Sequence, residues 1–207
     1  MKNFIWDFDG MLFDTYPHTH AAFCDTCRRF HIPAEPDEVM RQLKITIWDA
    51  MNFYGFDDEM KARFYETEND LGFLPLGKPY PHIPEILAYI TEHGGKNFLY
   101  THRDKVALRY FEKYELSGFF AGAVTRENGF PHKPAPDAIE YIIREYSLEK
   151  NECMMLGDRA IDVGSGLNAG ISACLFDEFG DLPADIECTY RCGSTEEIAA
   201  LIKKLLK

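Results

Sequence analysis

Short apolar runs that end at polar residues or glycine alternate with amphipathic helical patterns along most of the chain. Short apolar runs bounded by turn residues are typical of buried strands. They predict strands at residues 4–6, 98–100, 122–125, 153–156 and 171–175. Alternating strands and helices predict a parallel sheet with right-handed crossovers. We therefore expect an α/β fold with a doubly wound, Rossmann-like sheet.

Helices are predicted between these strands, because apolar residues recur there with the spacing of one helix face. Pro84 suits the first turn of one helix, which Gly94 and Gly95 end. Another helix follows Ser194 and Glu197, which have the spacing of a capping box. The apolar faces are Ile86, Leu87 and Ile90; Ala107, Tyr110, Phe111 and Tyr114; Ile139, Ile142, Ile143 and Tyr146; and Ile198, Leu201, Ile202 and Leu205.

A long helical segment separates the first predicted strand from the others. Its apolar stripes are Phe23, Cys27 and Phe30; Ile47, Met51 and Tyr54; and Phe56, Met60 and Phe64. Prolines and a glycine in residues 74–84 predict the linker that returns to the sheet. We expect a helical cap subdomain at residues 15–81, inserted into a core of residues 1–14 and 82–207.

The composition bounds the class of protein. A chain of 207 residues is long enough for one α/β domain with an inserted subdomain. The apolar fraction of 46% and the charged fraction of 27% are typical of a globular protein. A net charge of −12 argues against a nucleic-acid partner and against anionic membranes. No apolar run approaches the roughly 20 residues that cross a bilayer. The oligomeric state does not follow from the sequence.

The spacing of the cysteines does not indicate a metal or redox site. The N-terminus enters the first strand without a signal-peptide pattern, so we expect a cytoplasmic protein with reduced thiols. Cys27 lies on an apolar stripe, and no second Cys or His pair completes a zinc site with Cys24. We therefore expect Cys24, Cys27, Cys188 and Cys192 to be buried thiols. Trp48 is expected in the core of the cap subdomain.

Four polar clusters follow predicted strands or loops, and together they indicate a site. The clusters are Asp7 with Asp9; Thr101 with His102 and Arg103; Lys133 in H-K-P-A-P-D; and Asp158 with Asp162. Parallel strands bring their carboxyl ends to one edge of a sheet, where ligands bind. We expect at least the strand-borne clusters to meet there.

The acids at this edge indicate a cation. Two carboxylates about 4 Å apart repel by about 4 kcal/mol at an effective dielectric of about 20. Asp7, Asp9 and Asp158 could not all stay ionised without compensation. Carboxylates that hold a substrate phosphate are typical Mg²⁺ ligands. The sequence therefore predicts Mg²⁺.

The clusters resemble, in order, the four motifs of the haloacid dehalogenase-like hydrolase superfamily. D-F-D-G-M-L-F-D-T after an N-terminal strand is similar to the first motif, and Thr101 matches the second. Lys133 matches the third, and the G-D-x-x-x-D of Asp158 and Asp162 matches the fourth. The resemblance covers residues 3–175. The chain most resembles the branch of phosphoglycolate phosphatases and beta-phosphoglucomutases with a helical cap.

The resemblance implies a role for each matched residue. Asp7 would attack phosphorus and form an aspartyl-phosphate. Asp9 would protonate the leaving alcohol and then activate water. Thr101, through its hydroxyl and its backbone N–H, and Lys133 would bind the charged phosphoryl oxygens.

The resemblance also implies the metal ligands and the reaction. Mg²⁺ would be held by the Asp7 carboxylate, the Asp9 backbone carbonyl and the Asp158 carboxylate. Asp162 would act through water or orient Asp158. Dehalogenases of the superfamily lack the second acid, so Asp9 favours phosphoryl chemistry. We expect a phosphatase of small phosphomonoesters, of the phosphoglycolate or sugar phosphate type.

Two other functions stay open. One is a beta-phosphoglucomutase-like phosphotransferase, in which a His follows the nucleophile by twelve positions. Thr19 stands at that position here, between His18 and His20, which favours the phosphatase. The other is a non-catalytic phosphate-binding or signalling module, in which Asp9 would have no evident use.

Four further residues are candidates for contacts with a small phosphorylated metabolite. His102 and Arg103 would contact the leaving group, or alternatively cap the following helix. Arg41 and Lys44, one helical turn apart, would bind a second anionic group, or alternatively lie on a solvated helix face.

Overall fold

The computed structural model of the chain describes residues 1–70 and 77–206. It divides into two compact units, one formed by Met1–Phe13 with Pro79–Lys207 and the other by Asp14–Lys78. The bounds of the second unit are close to those predicted for the cap subdomain, residues 15–81. Part of the predicted return linker, residues 71–76, lies outside the described residues.

The first unit contains a parallel sheet. In the described part of the chain the strands are β1 (Asn3–Trp6), β2 (Phe13–Asp14), β3 (Lys78–Pro79), β4 (Lys96–Tyr100), β5 (Phe120–Val124), β6 (Cys153–Gly157), β7 (Ser172–Phe176) and β8 (Tyr190–Cys192). Six of these described strands form one sheet in the order β5-β4-β1-β6-β7-β8, and β2 pairs with β3. The pairs are parallel throughout the larger sheet.

Helices follow the strands of the first unit and make up the second. The second unit contains α1 (Tyr16–Arg29), α2 (Pro36–Ile45), α3 (Ile47–Phe53) and α4 (Asp58–Asn69). The first unit contains α5 (Ile83–Glu92), α6 (Val106–Lys113), α7 (Asp137–Glu145), α8 (Ala160–Asn168) and α9 (Thr195–Leu205). Short 3₁₀ turns occur at Ser117–Phe119, Arg126–Asn128 and Lys150–Glu152.

Strand β1 lies in the middle of the sheet, between β4 and β6. Ile5 is paired in register with Phe98 on one side and with Met155 on the other. All residues of β1 are buried, as expected for a strand covered on both faces. The chain leaves β1 toward β4 and β5 and later returns to β6 on its other side, which creates a topological switch point beside β1. The predicted α/β class is confirmed.

The second unit has an aromatic core. Phe23 stacks on Phe56 with ring centroids 4.5 Å apart and meets the edge of Phe64 at 5.7 Å. The predicted stripe from Phe56 to Phe64 was partly wrong, because α4 begins only at Asp58 and Asp57 caps it through a hydrogen bond from the Met60 N–H. Phe56 therefore packs from the preceding turn.

Other sequence predictions also need correction. Trp48 is 47% exposed, so its predicted place in the core was wrong. Strand β8 was missed, because it has three residues and Cys192 is its one buried apolar side chain.

Cys27 and Cys192 are buried as predicted, whereas Cys24 and Cys188 are half-buried, and all of the cysteines are free thiols. Among the described residues, no helix has the length and apolar character that crossing a membrane requires.

Asn97 ties the centre of the sheet to its surroundings. Its fully buried side chain accepts a hydrogen bond from Trp6 Nε1 at 3.0 Å. Its amide donates to the carbonyl of Leu87 in α5 and to that of Phe119, each at 3.2 Å. One amide thus links β4 to β1, to a covering helix and to the start of β5.

We expect Asn97→Ala to lower the free energy of unfolding by about 2–4 kcal/mol, because the Trp6 N–H and two carbonyls would stay buried without partners. Urea unfolding checks this value. The matched control is Asn52→Ala on the exposed side of α3, which should change stability by less than about 0.5 kcal/mol. A loss for Asn97→Ala no larger than that of the control would contradict the assigned network.

Candidate active site

Three of the predicted site residues follow adjacent strands at one edge of the sheet. Asp7 follows β1, Thr101 follows β4 and Asp158 follows β6. Because β1 lies between β4 and β6, the strand register alone brings these residues together. The N–H of Asp7 donates to the Leu156 carbonyl at 2.8 Å, which fixes Asp7 against β6.

Lys133 reaches the same edge from the loop between β5 and α7. Its Nζ donates hydrogen bonds to a carboxylate oxygen of Asp7, to Asp162 Oδ1 at 2.9 Å and to the Tyr100 carbonyl at 3.0 Å. The side chains of Lys133 and Asp162 are both 0% exposed. An ammonium group has three donors, so this cation is fully satisfied inside the protein.

The charges of this cluster shift one another's pKa values. Burial by itself lowers the pKa of Lys133, but the carboxylates of Asp162 and Asp7 raise it above its ordinary value. Burial, together with the neighbouring Asp162, raises the pKa of Asp7 to about 6. Burial also acts to raise the pKa of Asp162, yet Lys133 and Arg159 bring it below its usual range. The cations Lys133 and Arg159 thus favour the charged form of Asp162, whereas burial beside Asp162 disfavours that of Asp7.

Asp162 is positioned by the turn that begins α8. One carboxylate oxygen accepts from Lys133, and the other accepts from Arg159 through its backbone N–H at 3.1 Å and its Nε at 3.3 Å. The contacts with Lys133 and Arg159 were not predicted from the sequence. Gly157 makes this arrangement possible, because a Cβ at that position would lie 2.2 Å from the Asp162 Cβ.

The acids fit a divalent cation. Asp7, Asp158 and Asp162 each offer a carboxylate oxygen, and these oxygens lie within 4.8 Å of one another. Asp7 Oδ2 is buried and accepts no hydrogen bond among the described residues. Both oxygens of Asp162 already accept from cationic side chains, so Asp7 and Asp158 are the better direct ligands. Hard carboxylate oxygens suit Mg²⁺.

Thr101 lies at the edge as predicted, but with one of its donors engaged. Its backbone N–H donates to the Val124 carbonyl at 3.0 Å, within the sheet. The predicted use of this N–H for phosphate was therefore wrong. The Thr101 hydroxyl accepts the Arg103 N–H at 3.0 Å, and it is the group of Thr101 that can still donate into the site.

Arg103 contacts the acid Asp9, which the sequence did not predict. Its Nε lies 3.1 and 3.2 Å from the two oxygens of Asp9, and its Nη2 lies 2.8 Å from Oδ1. The alternatives from the sequence were a contact with the leaving group or a cap on the next helix. Neither describes this bidentate pair, which joins the ends of β1 and β4.

His102 contacts the chain next to Lys133. Its Nε2 accepts the Lys133 backbone N–H at 2.9 Å, so the proton of the neutral ring is assigned to Nδ1. Burial, with a smaller effect of the Lys133 cation, lowers the pKa of His102 to about 3. A neutral His102 therefore supports the loop that carries Lys133, which differs from both predicted alternatives.

Arg41 and Thr19 form contacts within the second unit. Arg41 is exposed and pairs with Glu38 on the same face of α2, which agrees with the solvated alternative for this residue. Lys44 is half-buried near the end of α2. Thr19, at the position of the mutase His, donates to a Glu68 carboxylate oxygen at 2.8 Å.

Comparisons with known proteins show similarity to hydrolases. The model of the haloacid dehalogenase-like hydrolase family matches residues 4–176. Phosphoglycolate phosphatase of Vibrio parahaemolyticus is 23% identical over 188 residues, which cover 84% of this chain and 82% of that protein. Pyrophosphatase PpaX of Halalkalibacterium halodurans is 27% identical over 119 residues, which cover 57% and 55%. The crystal structure of a hydrolase from Streptococcus pneumoniae TIGR4 matches with a TM-score of 0.62 and 30% identity, over 85% of this chain and 94% of that one.

Gly157→Ala tests the close approach at the start of α8. The new Cβ would meet the Asp162 Cβ, so the backbone must shift, and we expect a loss of unfolding free energy of about 1–3 kcal/mol. Chemical denaturation measures it. Gly118→Ala is the matched control, because a Cβ there meets no atom within 4 Å. Equal stability of the two variants would show that Asp162 does not need this space.

Proposed function

The chain belongs to the haloacid dehalogenase-like hydrolase family, and we propose that it is a Mg²⁺-dependent phosphatase of small phosphomonoesters, of the phosphoglycolate or sugar phosphate type. The observation that carries this proposal is the pair of acids after β1. Asp7 is buried and charge-paired with Lys133, and Asp9 follows two residues later in a more exposed setting. Relatives named phosphoglycolate phosphatase and pyrophosphatase support phosphoryl chemistry.

The first half of the proposed reaction transfers the phosphoryl group to the protein. A carboxylate oxygen of Asp7 attacks phosphorus, and the bond between phosphorus and the leaving oxygen breaks. The leaving oxygen takes the proton of the Asp9 carboxyl group and departs as an alcohol. The product is an aspartyl-phosphate on Asp7 with Asp9 as carboxylate.

The second half regenerates the protein. The Asp9 carboxylate takes a proton from water, whose oxygen attacks phosphorus. The bond between phosphorus and the Asp7 oxygen breaks, and inorganic phosphate leaves. Asp7 is again a carboxylate, and Asp9 holds the proton that the next leaving group needs.

The other residues of the cluster stabilise the charge of the phosphoryl group or hold the metal ion. Lys133 offsets the negative charge between the Asp7 carboxylate and the phosphate, and the Thr101 hydroxyl donates to a phosphoryl oxygen. Asp7, Asp158 and the Asp9 carbonyl would hold Mg²⁺, which supplies further positive charge beside the phosphate when it is bound. Asp162 acts through Lys133 and Arg159, whose side chains it contacts.

Substrate choice is assigned to the second unit. Arg41 and Lys44 stay predictions from the sequence for contacts with a second anionic group of a phosphorylated metabolite, although Arg41 pairs with Glu38 within α2. The cytoplasmic location and the absence of nucleic-acid and membrane partners stay predictions from the sequence.

Asp7→Asn should lower turnover by on the order of 10³-fold or more, because an amide cannot form the aspartyl-phosphate. The measurement is phosphate release from a panel of phosphorylated metabolites, pyrophosphate and p-nitrophenyl phosphate with Mg²⁺. Circular dichroism should show an unchanged fold, since the side chains have nearly the same shape. Retained turnover would remove Asp7 as nucleophile. Wild-type turnover of no phosphoester would favour the non-catalytic module, and isomerised hexose phosphate would favour the mutase.

Removal of the metal with EDTA should abolish turnover, and added Mg²⁺ should restore it. Asp158→Asn should raise the Mg²⁺ concentration needed for half-maximal activity by about 10-fold or more, because one anionic ligand is lost. Asp37→Asn, on the exposed first turn of α2, is the control and should leave the Mg²⁺ requirement unchanged. Full activity in EDTA would contradict the metal dependence.

A further inference from the structure

We propose that Arg103 is a positioning residue that holds the Asp9 carboxylate in the orientation needed for proton transfer, an inference that rests on the proposed function. Nε and Nη2 of Arg103 contact both oxygens of Asp9, at 2.8 to 3.2 Å. The Arg103 side chain is 8% exposed, whereas that of Asp9 is 29% exposed. The pair therefore has a buried, fixed cation and a carboxylate that is still open to a reactant.

Arg103 is itself held on several sides. Its backbone N–H donates to Thr101 Oγ1 at 3.0 Å, and its carbonyl accepts the Arg126 N–H at 3.0 Å. Its guanidinium carbon lies 5.9 Å from the centre of the Phe8 ring, and Phe8 is fully buried. These contacts fix the main chain of Arg103 and place its guanidinium near a buried aromatic ring.

Asp9 needs such support because of its position in the chain. It precedes Gly10, which has a φ of 78° in a tight turn closed by the hydrogen bond from the Gly10 N–H to the Phe13 carbonyl. The terminal torsion of an aspartate side chain is broad rather than confined to a narrow rotamer. A planar, bidentate arginine sets both the position and the plane of the carboxylate, which a lysine ammonium does not.

The consequence concerns one part of the reaction. In the first half, Asp9 donates a proton to the leaving oxygen, and this donation depends on the orientation of its carboxyl group. An alkyl leaving group needs the proton, whereas p-nitrophenolate is stable enough to leave without it. Loss of Arg103 should therefore slow the cleavage of alkyl phosphates far more than that of p-nitrophenyl phosphate.

The experiment compares kcat/KM for p-nitrophenyl phosphate and for glycerol phosphate, because kcat/KM reports the phosphoryl transfer to Asp7. In Arg103→Met the ratio of the two values should shift toward p-nitrophenyl phosphate by about 10-fold or more. Arg103→Lys keeps the charge and should show most of the same shift. Arg144→Met is the matched control, since Arg144 lies at an exposed position in the last turn of α7, and its ratio should not change.

A second variant pair separates positioning from general damage. In an Asp9→Asn background, Arg103→Met should leave the ratio within about 2-fold, because the group that it orients is already absent. An equal loss with both substrates, or a further shift in the Asp9→Asn background, would overturn the inference. If Arg103→Met does not fold, the ratio in Arg103→Lys decides.

The failure of the proposed function has a different signature. It would appear in the wild-type protein as absent turnover of both esters, or in Asp7→Asn as retained turnover. Wild-type turnover that Asp7→Asn abolishes, combined with a ratio that Arg103→Met and Arg103→Lys leave unchanged, would reject the role of Arg103 alone.

Discussion

A single buried ammonium group holds the candidate site together. Lys133 is fully enclosed and contacts two carboxylates and a carbonyl that come from different parts of the chain. An unpaired charge at this depth would be costly, so the loop before α7, the end of β1 and the first turn of α8 stabilise one another through Lys133. With Asp158 the site holds three carboxylates against the two cations Lys133 and Arg159, and this excess of one negative charge suits a further cation.

The sheet and the side chains contribute different parts of this geometry. Parallel register around β1 is sufficient to bring Asp7, Thr101 and Asp158 to one edge, whatever their side chains do. Lys133 reaches that edge through long-range side-chain contacts, whereas Asp162 reaches it from the turn that begins α8. Their placement depends on local details, such as the missing Cβ of Gly157.

This division explains what the sequence could predict. Apolar runs and helical periodicity define the strands, and the parallel topology then implies where their polar ends meet, so the fold and the cluster of acids followed from the pattern. The pairing of Arg103 with Asp9 and the contact of His102 with Lys133 depend on rotamers in loops, which no periodicity encodes. Strand β8 was missed because a three-residue segment carries too little pattern, and Trp48 was wrongly predicted in the core of the cap subdomain.

The two acids after β1 show how one short segment can carry two roles. Asp7 is buried and bound to a lysine, whose point charge leaves one carboxylate oxygen without a hydrogen-bond donor. Asp9 is partly exposed and bound by the fork of an arginine, which orders both of its oxygens. A nucleophile needs an oxygen that can reach phosphorus, and a proton carrier needs a fixed direction and access to water. The different cations beside the two acids thus match the different steps assigned to them.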